Sequence, residues 1–180
     1  MVEYEKINKI PYGGDYNPEQ WSEDTWEEDM HLLKLAHIDI VTLNVFSWAM
    51  LQSDDDVYHF EKLDKIMELV KKHGMKVCLA TSTGAHPAWM ARKHPDILRV
   101  EANGMKRKFG SRHNSCPNSP TYQKYAMALA SKLADRYKNY DNIVAWHISN
   151  EYGGECYCEN CEKKFREWLK EKYKTIEEVN

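Results

Sequence analysis

Short apolar segments alternate with amphipathic segments along this chain, and the alternation limits its fold more than any other feature. The apolar segments predict four strands, at residues 10–14, 38–45, 76–80 and 143–149. They are almost continuously apolar, as is typical of parallel strands buried on both faces. The amphipathic segments between them have the apolar spacing of helices. The predicted order, βαβαβαβα, fits either a doubly wound open sheet or a (β/α)8 barrel.

One helix is predicted after each strand, beginning at about residues 25, 61, 120 and 161. Thr25 with Glu28 three residues later forms a candidate capping box for the first helix, with Asp24 as the alternative cap. Ser119 is a candidate N-cap for the third helix, and Pro120 suits its first position. Between the third strand and Ser119, we expect a long loop over residues 81–118 without a further helix or strand.

The second helix is predicted over residues 61–73, with Gly74 as its stop signal. The last is predicted over about residues 161–173. The inward-facing side chains of the last helix are expected to be Phe165, Trp168 and Leu169.

Two features favour the barrel over the open sheet. The first strand is not followed by the glycine-rich turn that holds a phosphate in dinucleotide-binding sheets. Polar or aromatic residues follow every strand, as in barrel enzymes whose active sites lie at the C-terminal strand ends. These residues are Asp15 and Asn17, Asn44 and Trp48, Thr81 and His86, and Asn150 and Glu151. A full barrel takes about 250 residues, and this chain has 180. We therefore predict an α/β fold in which the chain forms the N-terminal half of a (β/α)8 barrel, with about four βα units.

The charge balance argues against some classes of partner. A net charge of −3 gives no reason to expect a nucleic acid or an anionic membrane. The first ten residues contain no long apolar stretch, so we expect neither a signal peptide nor a membrane span. A cytoplasmic protein is therefore expected, in which the five cysteines are metal ligands or core residues rather than disulfides.

The segment WHISNEY, residues 146–152, places an amide and a carboxylate directly after a predicted strand. A glycosidase needs a carboxylic acid to protonate the leaving oxygen, and it gains from a hydrogen bond to the sugar 2-hydroxyl. Asn150 and Glu151 offer these two groups, and a barrel mouth would shield Glu151 partly from water. The alternative interpretation is a helix-capping Asn150 and an ordinary surface Glu151.

The segment CYCENC, residues 156–161, holds three thiols within six residues, which core packing does not explain. Thiolates suit zinc, which takes four ligands in a closed structural site. The predicted ligands are Cys156, Cys158, Cys161 and, as the fourth, Cys116. His113 or another histidine is the alternative fourth ligand, and a redox or incidental cluster is the alternative to a metal site. Cys78 lies within the third strand and is expected in the core.

The loop before Cys116 contains GSRH, residues 110–113. Beside a metal-anchored loop, the guanidinium of Arg112 can be aimed rigidly at vicinal sugar hydroxyls or at a carboxylate. A surface arginine among other basic residues is the alternative. The aromatic segments at residues 16–21 and 44–48 are either sugar platforms or side chains that close the core.

Four segments together resemble glycoside hydrolase family 42 β-galactosidases. They are YGGDYNPEQW (12–21), NVFSW (44–48), GSRH through CPNSP (110–120) and WHISNEY (146–152), and they stand in the family's order. The resemblance covers nearly the whole chain. It implies a (β/α)8 barrel that hydrolyses terminal β-D-galactosides with retention of anomeric configuration. It also implies that full-length members are homo-oligomers, which we expect to be trimers.

The resemblance also implies roles for single residues. Glu151 matches the acid/base, and Arg112 and Asn150 match galactose-binding positions. The zinc ligands of those members that bind the metal are matched by Cys116, Cys156, Cys158 and Cys161.

The sequence lacks the second catalytic carboxylate of the family. Retention needs a second carboxylate about 5 to 5.5 Å from the first, and in the family it lies on a later strand, beyond residue 180. The later strands and domains lie there too. The chain therefore looks like either a truncated β-galactosidase gene product or a partial sequence of one, and we expect it to be inactive alone. A non-catalytic, zinc-stabilised sugar-binding module and a different retaining barrel glycosidase are the alternatives.

Overall fold

The computed structural model describes residues 9–110 and 112–179, so Ser111 of the GSRH segment lies outside the described residues. These described residues form six strands: β1 (Gly13–Asp15), β2 (Ile40–Leu43), β3 (Gln52–Asp54), β4 (Val57–Tyr58), β5 (Lys76–Ala80) and β6 (Ile143–His147). A four-stranded sheet has the order β1-β2-β5-β6, and every neighbouring pair in it is parallel. Parallel neighbours need crossover connections, which explains the helices between these strands.

In the described part of the chain, six α-helices accompany the strands: α1 (Trp26–Leu35), α2 (Trp48–Leu51), α3 (Glu61–Lys72), α4 (Ala88–Lys93), α5 (Pro120–Tyr137) and α6 (Glu159–Tyr173). Short 3-10 turns lie at Pro18–Gln20, Glu23–Thr25 and Pro95–Ile97. Among the residues described, no helix combines the length and the apolar character needed to cross a membrane.

Two predicted helix ends are confirmed. The Ser119 side chain accepts a hydrogen bond from the Tyr122 backbone N–H, with Pro120 as the first helical residue of α5. Gly74, at φ +72°, follows α3 and adopts the left-handed conformation that glycine tolerates best. These ends were predictable because each depends on residues within one helical turn.

The apolar core lies between one face of the sheet and the helices. Leu43 and Leu79, paired across β2 and β5, are buried with Met30 of α1, Ile66 of α3 and Leu129 of α5. Burial of aliphatic side chains of this size stabilises the fold by roughly 1.5 to 3 kcal/mol each.

The other face of the sheet is open, which corrects the prediction of strands buried on both faces. Register pairs Asp15 with Thr42, Thr42 with Cys78 and Cys78 with Ala145, so these four form one row across the sheet. Asp15 and Ala145 are exposed, and the other two are half-buried. Cys78 therefore lies on this partly polar open face rather than in the apolar core.

Local predictions failed at three further places. The capping box is absent, since the Thr25 hydroxyl donates to the Ser22 carbonyl (2.8 Å) and makes no cap hydrogen bond to α1. The predicted loop from 81 to 118 contains α4 and a 3-10 turn, elements too short to show apolar periodicity. The β3–β4 hairpin was also not predicted.

Helix α6 contradicts the prediction of an inward apolar face. Phe165 and Trp168 are 58% and 48% exposed and stack on each other, with ring centroids 5.9 Å apart, while Leu169 is half-buried. The helix follows the edge strand β6, where Trp146 is also partly exposed. An apolar stripe in a sequence shows which face of a helix is suited to burial, not whether another element covers it.

These open surfaces predict self-association of the 180-residue chain. Within the described part of the chain, β1 and β6 each pair on one side only, and an unpaired strand edge invites another chain. We expect sedimentation velocity at low micromolar concentration to show dimers or larger species. A paired Ile148→Ser and Trp168→Ser change should shift the distribution toward monomer, whereas Met127→Ser, at an exposed position on α5, should not. A sharp monomer peak for the unaltered chain would contradict the prediction.

Candidate active site and thiol cluster

Polar contacts join the C-terminal ends of neighbouring strands. The Asn44 side-chain amide, after β2, donates to the Ala80 carbonyl at the end of β5 (3.0 Å). The Ser82 hydroxyl donates back to the Asn44 carbonyl. After β6, the Ser149 N–H donates to the Thr81 hydroxyl (3.0 Å). The three strand ends are therefore held in fixed relative positions, as a site built from several loops requires.

The backbone is strained at the same three strand ends. Asn44, Ser82 and Ser149 have φ values of +69°, +60° and +57°, and Glu151 has +39°. Residues other than glycine seldom adopt such angles, at a cost of about 1 to 3 kcal/mol each. Such strain is concentrated at active and binding sites, so this edge of the sheet is the candidate functional site.

Glu151 and Arg112, both predicted site residues, form an ion pair here. Arg112 Nη2 lies 2.9 Å from Glu151 Oε2, and the guanidinium carbon lies 5.7 Å from the Phe46 ring centroid. The Glu151 side chain is 65% exposed, which corrects the expectation that it is partly shielded from water. An exposed pair contributes only about 0 to 1 kcal/mol to stability, so the contact serves to place the two groups rather than to hold the fold.

Asn150, next to Glu151 in the sequence, has an unused hydrogen-bond donor. Its Nδ2 atom is buried and has no hydrogen-bond partner among the residues that the structure describes. A Cβ at Gly84 would lie 3.3 Å from Asn150 Cβ and 3.4 Å from Phe46 Cε1, so the glycine lets this loop approach closely. A buried donor without a partner costs about 1 to 3 kcal/mol, which a ligand hydroxyl could recover.

His86 is a buried residue of this region to which the sequence assigned no role. Its Nδ1 atom lies 2.5 Å from the Ser115 hydroxyl, and its Nε2 atom is buried without a partner within the described ranges. Burial lowers the pKa of His86 to about 4, so its imidazole is neutral at pH 7. Its position after β5 was the only sequence signal for it.

The four predicted thiols come together in a group that we call the thiol cluster: Cys116, Cys156, Cys158 and Cys161. Cys116 Sγ lies 3.4 Å from the sulfurs of both Cys158 and Cys161, and all four sulfurs lie within 4.8 Å of one another. Tetrahedral zinc with Zn–S bonds of about 2.3 Å separates its sulfurs by roughly 3.8 Å. The thiol cluster therefore has the composition and the spacing of a metal site, and neither His113 nor Cys78 belongs to it.

Local structure explains how the thiol cluster forms. Cys158 is the N-cap of α6 and Cys161 lies in its first turn, while Cys116 lies in the loop before α5, three residues ahead of the N-cap Ser119. The Asn118 amide donates to Cys161 Sγ (3.3 Å). Burial, together with the thiols of Cys158 and Cys161, raises the pKa of Cys116. A bound metal ion would displace this proton, because coordinated thiols are ionised.

Comparison with known proteins identifies the family. Residues 15–180 match the profile of glycoside hydrolase family 42, described as β-galactosidase. The β-galactosidase BgaP of Planococcus sp. (strain L4) is 59% identical over 177 residues, which are 98% of this chain and 26% of the relative. The crystal structure of a β-galactosidase from Bacillus circulans sp. alkalophilus superposes with a TM-score of 0.94 at 65% identity, over 98% of this chain and 26% of that one.

The chain thus spans about a quarter of the length of the relatives it matches. The catalytic domain of a β-amylase from Paenibacillus polymyxa shares the fold alone, with a TM-score of 0.63 at 14% identity. Together with the parallel sheet, these neighbours confirm that the described βα units are the first units of a (β/α)8 barrel.

Proposed function

Because the chain belongs to glycoside hydrolase family 42, we propose that it carries the acid/base half of the active site of a retaining β-galactosidase. The observation that supports this most directly is the ion pair between Arg112 and Glu151, where Glu151 and the unpaired donor of Asn150 follow the C-terminal end of β6. The proposal places the second carboxylate of a retaining enzyme outside these 180 residues, and the chain alone is then inactive.

In the proposed mechanism, Glu151 acts twice. As an acid it donates its proton to the glycosidic oxygen while the bond from that oxygen to the anomeric carbon breaks. The second carboxylate takes the sugar as a covalent ester. Glu151, now ionised, removes a proton from water, whose oxygen attacks the anomeric carbon and releases galactose and the free carboxylate.

Arg112 and Asn150 bind the sugar in this proposal. The unpaired Asn150 amide donates to the galactose 2-hydroxyl, a contact that strengthens as the anomeric centre becomes positive. The Arg112 guanidinium can donate to vicinal hydroxyls while still contacting the Glu151 carboxylate, because its five N–H groups point in different directions within the plane of the group.

We propose that the thiol cluster binds one structural Zn²⁺. Its support is the donor set, four thiolates that fill a tetrahedral site and suit a soft ion. The ion would tie the loop before α5 to the loop that leads from Glu151 into α6, and it would stabilise this corner of the fold. Glu151, Arg112 and Asn150 would carry the chemistry and the sugar binding.

The test is to complete the barrel. In a chimera, residues 1–180 replace the matching segment of the Bacillus circulans sp. alkalophilus relative; we call this protein the completed barrel. We expect it to hydrolyse lactose and aryl β-galactosides, whereas the 180-residue chain alone has no turnover. Galactose binding without turnover in a folded completed barrel would favour a non-catalytic sugar-binding module. A preference for β-glucosides would favour a different retaining glycosidase.

The Asn150 contact gives a prediction of its own. In the completed barrel, Asn150→Ala should lower kcat/KM for lactose by about 30-fold to 1000-fold, since transition-state contacts to the 2-hydroxyl contribute several kcal/mol. A 2-deoxygalactoside lacks that hydroxyl, so it should lose far less. Asn139→Ala, at an exposed position after α5, is the matched control. Equal losses on both substrates would show that Asn150 does not bind this hydroxyl.

A further inference from the structure

Arg99 is a buried cation that connects two loops. It is only 7% exposed, and it lies just after the 3-10 turn Pro95–Ile97. Its Nε atom donates to the Ser115 carbonyl (2.9 Å), and its Nη1 atom donates to the Gly153 carbonyl (2.8 Å). Ser115 immediately precedes a thiol of the cluster, and Gly153 lies two residues after Glu151.

The partners of Arg99 are unusual for a buried charge. Within residues 9–110 and 112–179, Arg99 forms no salt bridge with a carboxylate, and its side chain donates to the two carbonyls described above. Removing a guanidinium from water is costly, and an apolar side chain would avoid that cost. The forked guanidinium of arginine reaches both carbonyls at once and holds them at a fixed separation. Neither an apolar side chain nor lysine has this geometry.

Gly154 leaves room for this guanidinium. Its φ is +71°, and a Cβ at this position would lie 2.5 Å from Arg99 Nη1. A side chain at this position would clash with Arg99, so the close approach of the loop after Glu151 to Arg99 depends on glycine. A second link runs beside it, since the Tyr157 N–H donates to the Val100 carbonyl (2.9 Å).

We propose that Arg99 is a positioning residue that couples the thiol cluster to Glu151. It fixes the loop that carries the acid/base relative to the loop that carries Cys116. Metal binding that orders the Cys116 loop therefore also orders the loop that carries Glu151. The inference rests on the proposed function of Glu151, and it adds a residue that contacts neither the substrate nor the metal.

The first test uses the 180-residue chain. Arg99→Met and Arg99→Lys variants are analysed for bound metal and for the rate of cleavage by a glutamate-specific protease after Glu151 and Glu155. We expect metal content equal to that of the unaltered chain and cleavage about 10-fold faster in Arg99→Met, with a smaller increase in Arg99→Lys. Unchanged cleavage in both variants would overturn the proposal. Loss of the metal in both would also overturn it, because Arg99 would then only support the metal site.

The second test measures leaving-group dependence in the completed barrel. A misplaced Glu151 harms substrates that need protonation most, so Arg99→Lys should lower kcat/KM about 10-fold more for lactose than for an activated aryl galactoside. Equal losses would overturn the proposal. Glu151→Gln, measured beside it, separates the two claims. If Glu151→Gln shows the same selectivity and Arg99→Lys does not, only the Arg99 inference fails; if Glu151→Gln has no effect, the proposed function fails.

Gly154→Ala gives an independent perturbation of the same contact. It should reproduce the selective loss of Arg99→Lys, because the new methyl group displaces the guanidinium. Gly104→Ala is the matched control, since Gly104 also has a positive φ (+81°) but has nothing within 4 Å of the new methyl. If Gly104→Ala caused the same selective loss, backbone strain rather than Arg99 would explain the result, and the proposal would be overturned.

Discussion

Replacement of Glu151 by glutamine in the completed barrel is expected to slow lactose hydrolysis by about 10²-fold to 10⁴-fold. A sugar leaving group departs slowly without a proton, and general acid catalysis of this kind contributes about 10² to 10⁴ in rate. Activated aryl galactosides leave with little assistance, so their first step should be nearly unaffected. The glycosyl-enzyme should then accumulate, because no base remains to activate water. Steady-state rates and burst kinetics on the two substrates measure the difference.

Glu155→Gln is the control for this prediction. Glu155 lies on the same loop and is exposed, and its contact is with the Tyr157 hydroxyl rather than with Arg112. It should keep nearly full activity on both substrates. If Glu151→Gln hydrolysed lactose at an undiminished rate, Glu151 would not be the acid, and the interpretation of its pairing with Arg112 would fail.

Loss of the metal is expected to have the second large effect. The purified 180-residue chain should contain about one zinc ion, and Cys116→Ser should abolish stoichiometric binding, because Cys116 is the buried member of the thiol cluster and contacts two others. Metal binding by a site of this kind contributes directly to folding free energy. We therefore expect chelation or Cys116→Ser to lower the thermal midpoint by about 10 °C or more. Metal analysis and calorimetry measure the two effects.

Cys78→Ala is the matched cysteine control for the metal. Cys78 is half-buried on the open face of the sheet and lies outside the thiol cluster, so its replacement should leave the metal content unchanged. Stoichiometric zinc in a variant that lacks all four cluster cysteines would show that the metal binds elsewhere.

The parts of the fold that were predictable from the sequence depend on short-range signals. The alternation of strands and helices follows from apolar periodicity, and Ser119 with Pro120 marks the start of α5 within one turn. The exposure of Phe165 and Trp168 was not predictable, because it depends on which elements lie beside α6. The helix α4 was missed because six residues are too few to show a period.

The residues of the candidate site also divide into those that were predictable from short-range sequence signals and those that were not. Asn150, Glu151 and the thiols of residues 156–161 stand out because each motif is contiguous in sequence. Arg99 does not stand out, because its two carbonyl partners lie 16 and 54 residues away. Every residue has a backbone carbonyl, so the sequence does not indicate which carbonyls Arg99 contacts. The strained φ values at the strand ends were also invisible, since asparagine and serine occupy positions where glycine would have been a signal.

Azide rescue tests most directly whether Glu151 is the acid/base of a retaining β-galactosidase. The Glu151→Gln completed barrel is incubated with an activated aryl galactoside and sodium azide, and the product is identified by NMR. Azide needs no general base, so it should attack the accumulated glycosyl-enzyme and yield β-galactosyl azide, with turnover rising as azide is added. An α-galactosyl azide would contradict retention. Undiminished hydrolysis to galactose without azide would contradict the role assigned to Glu151.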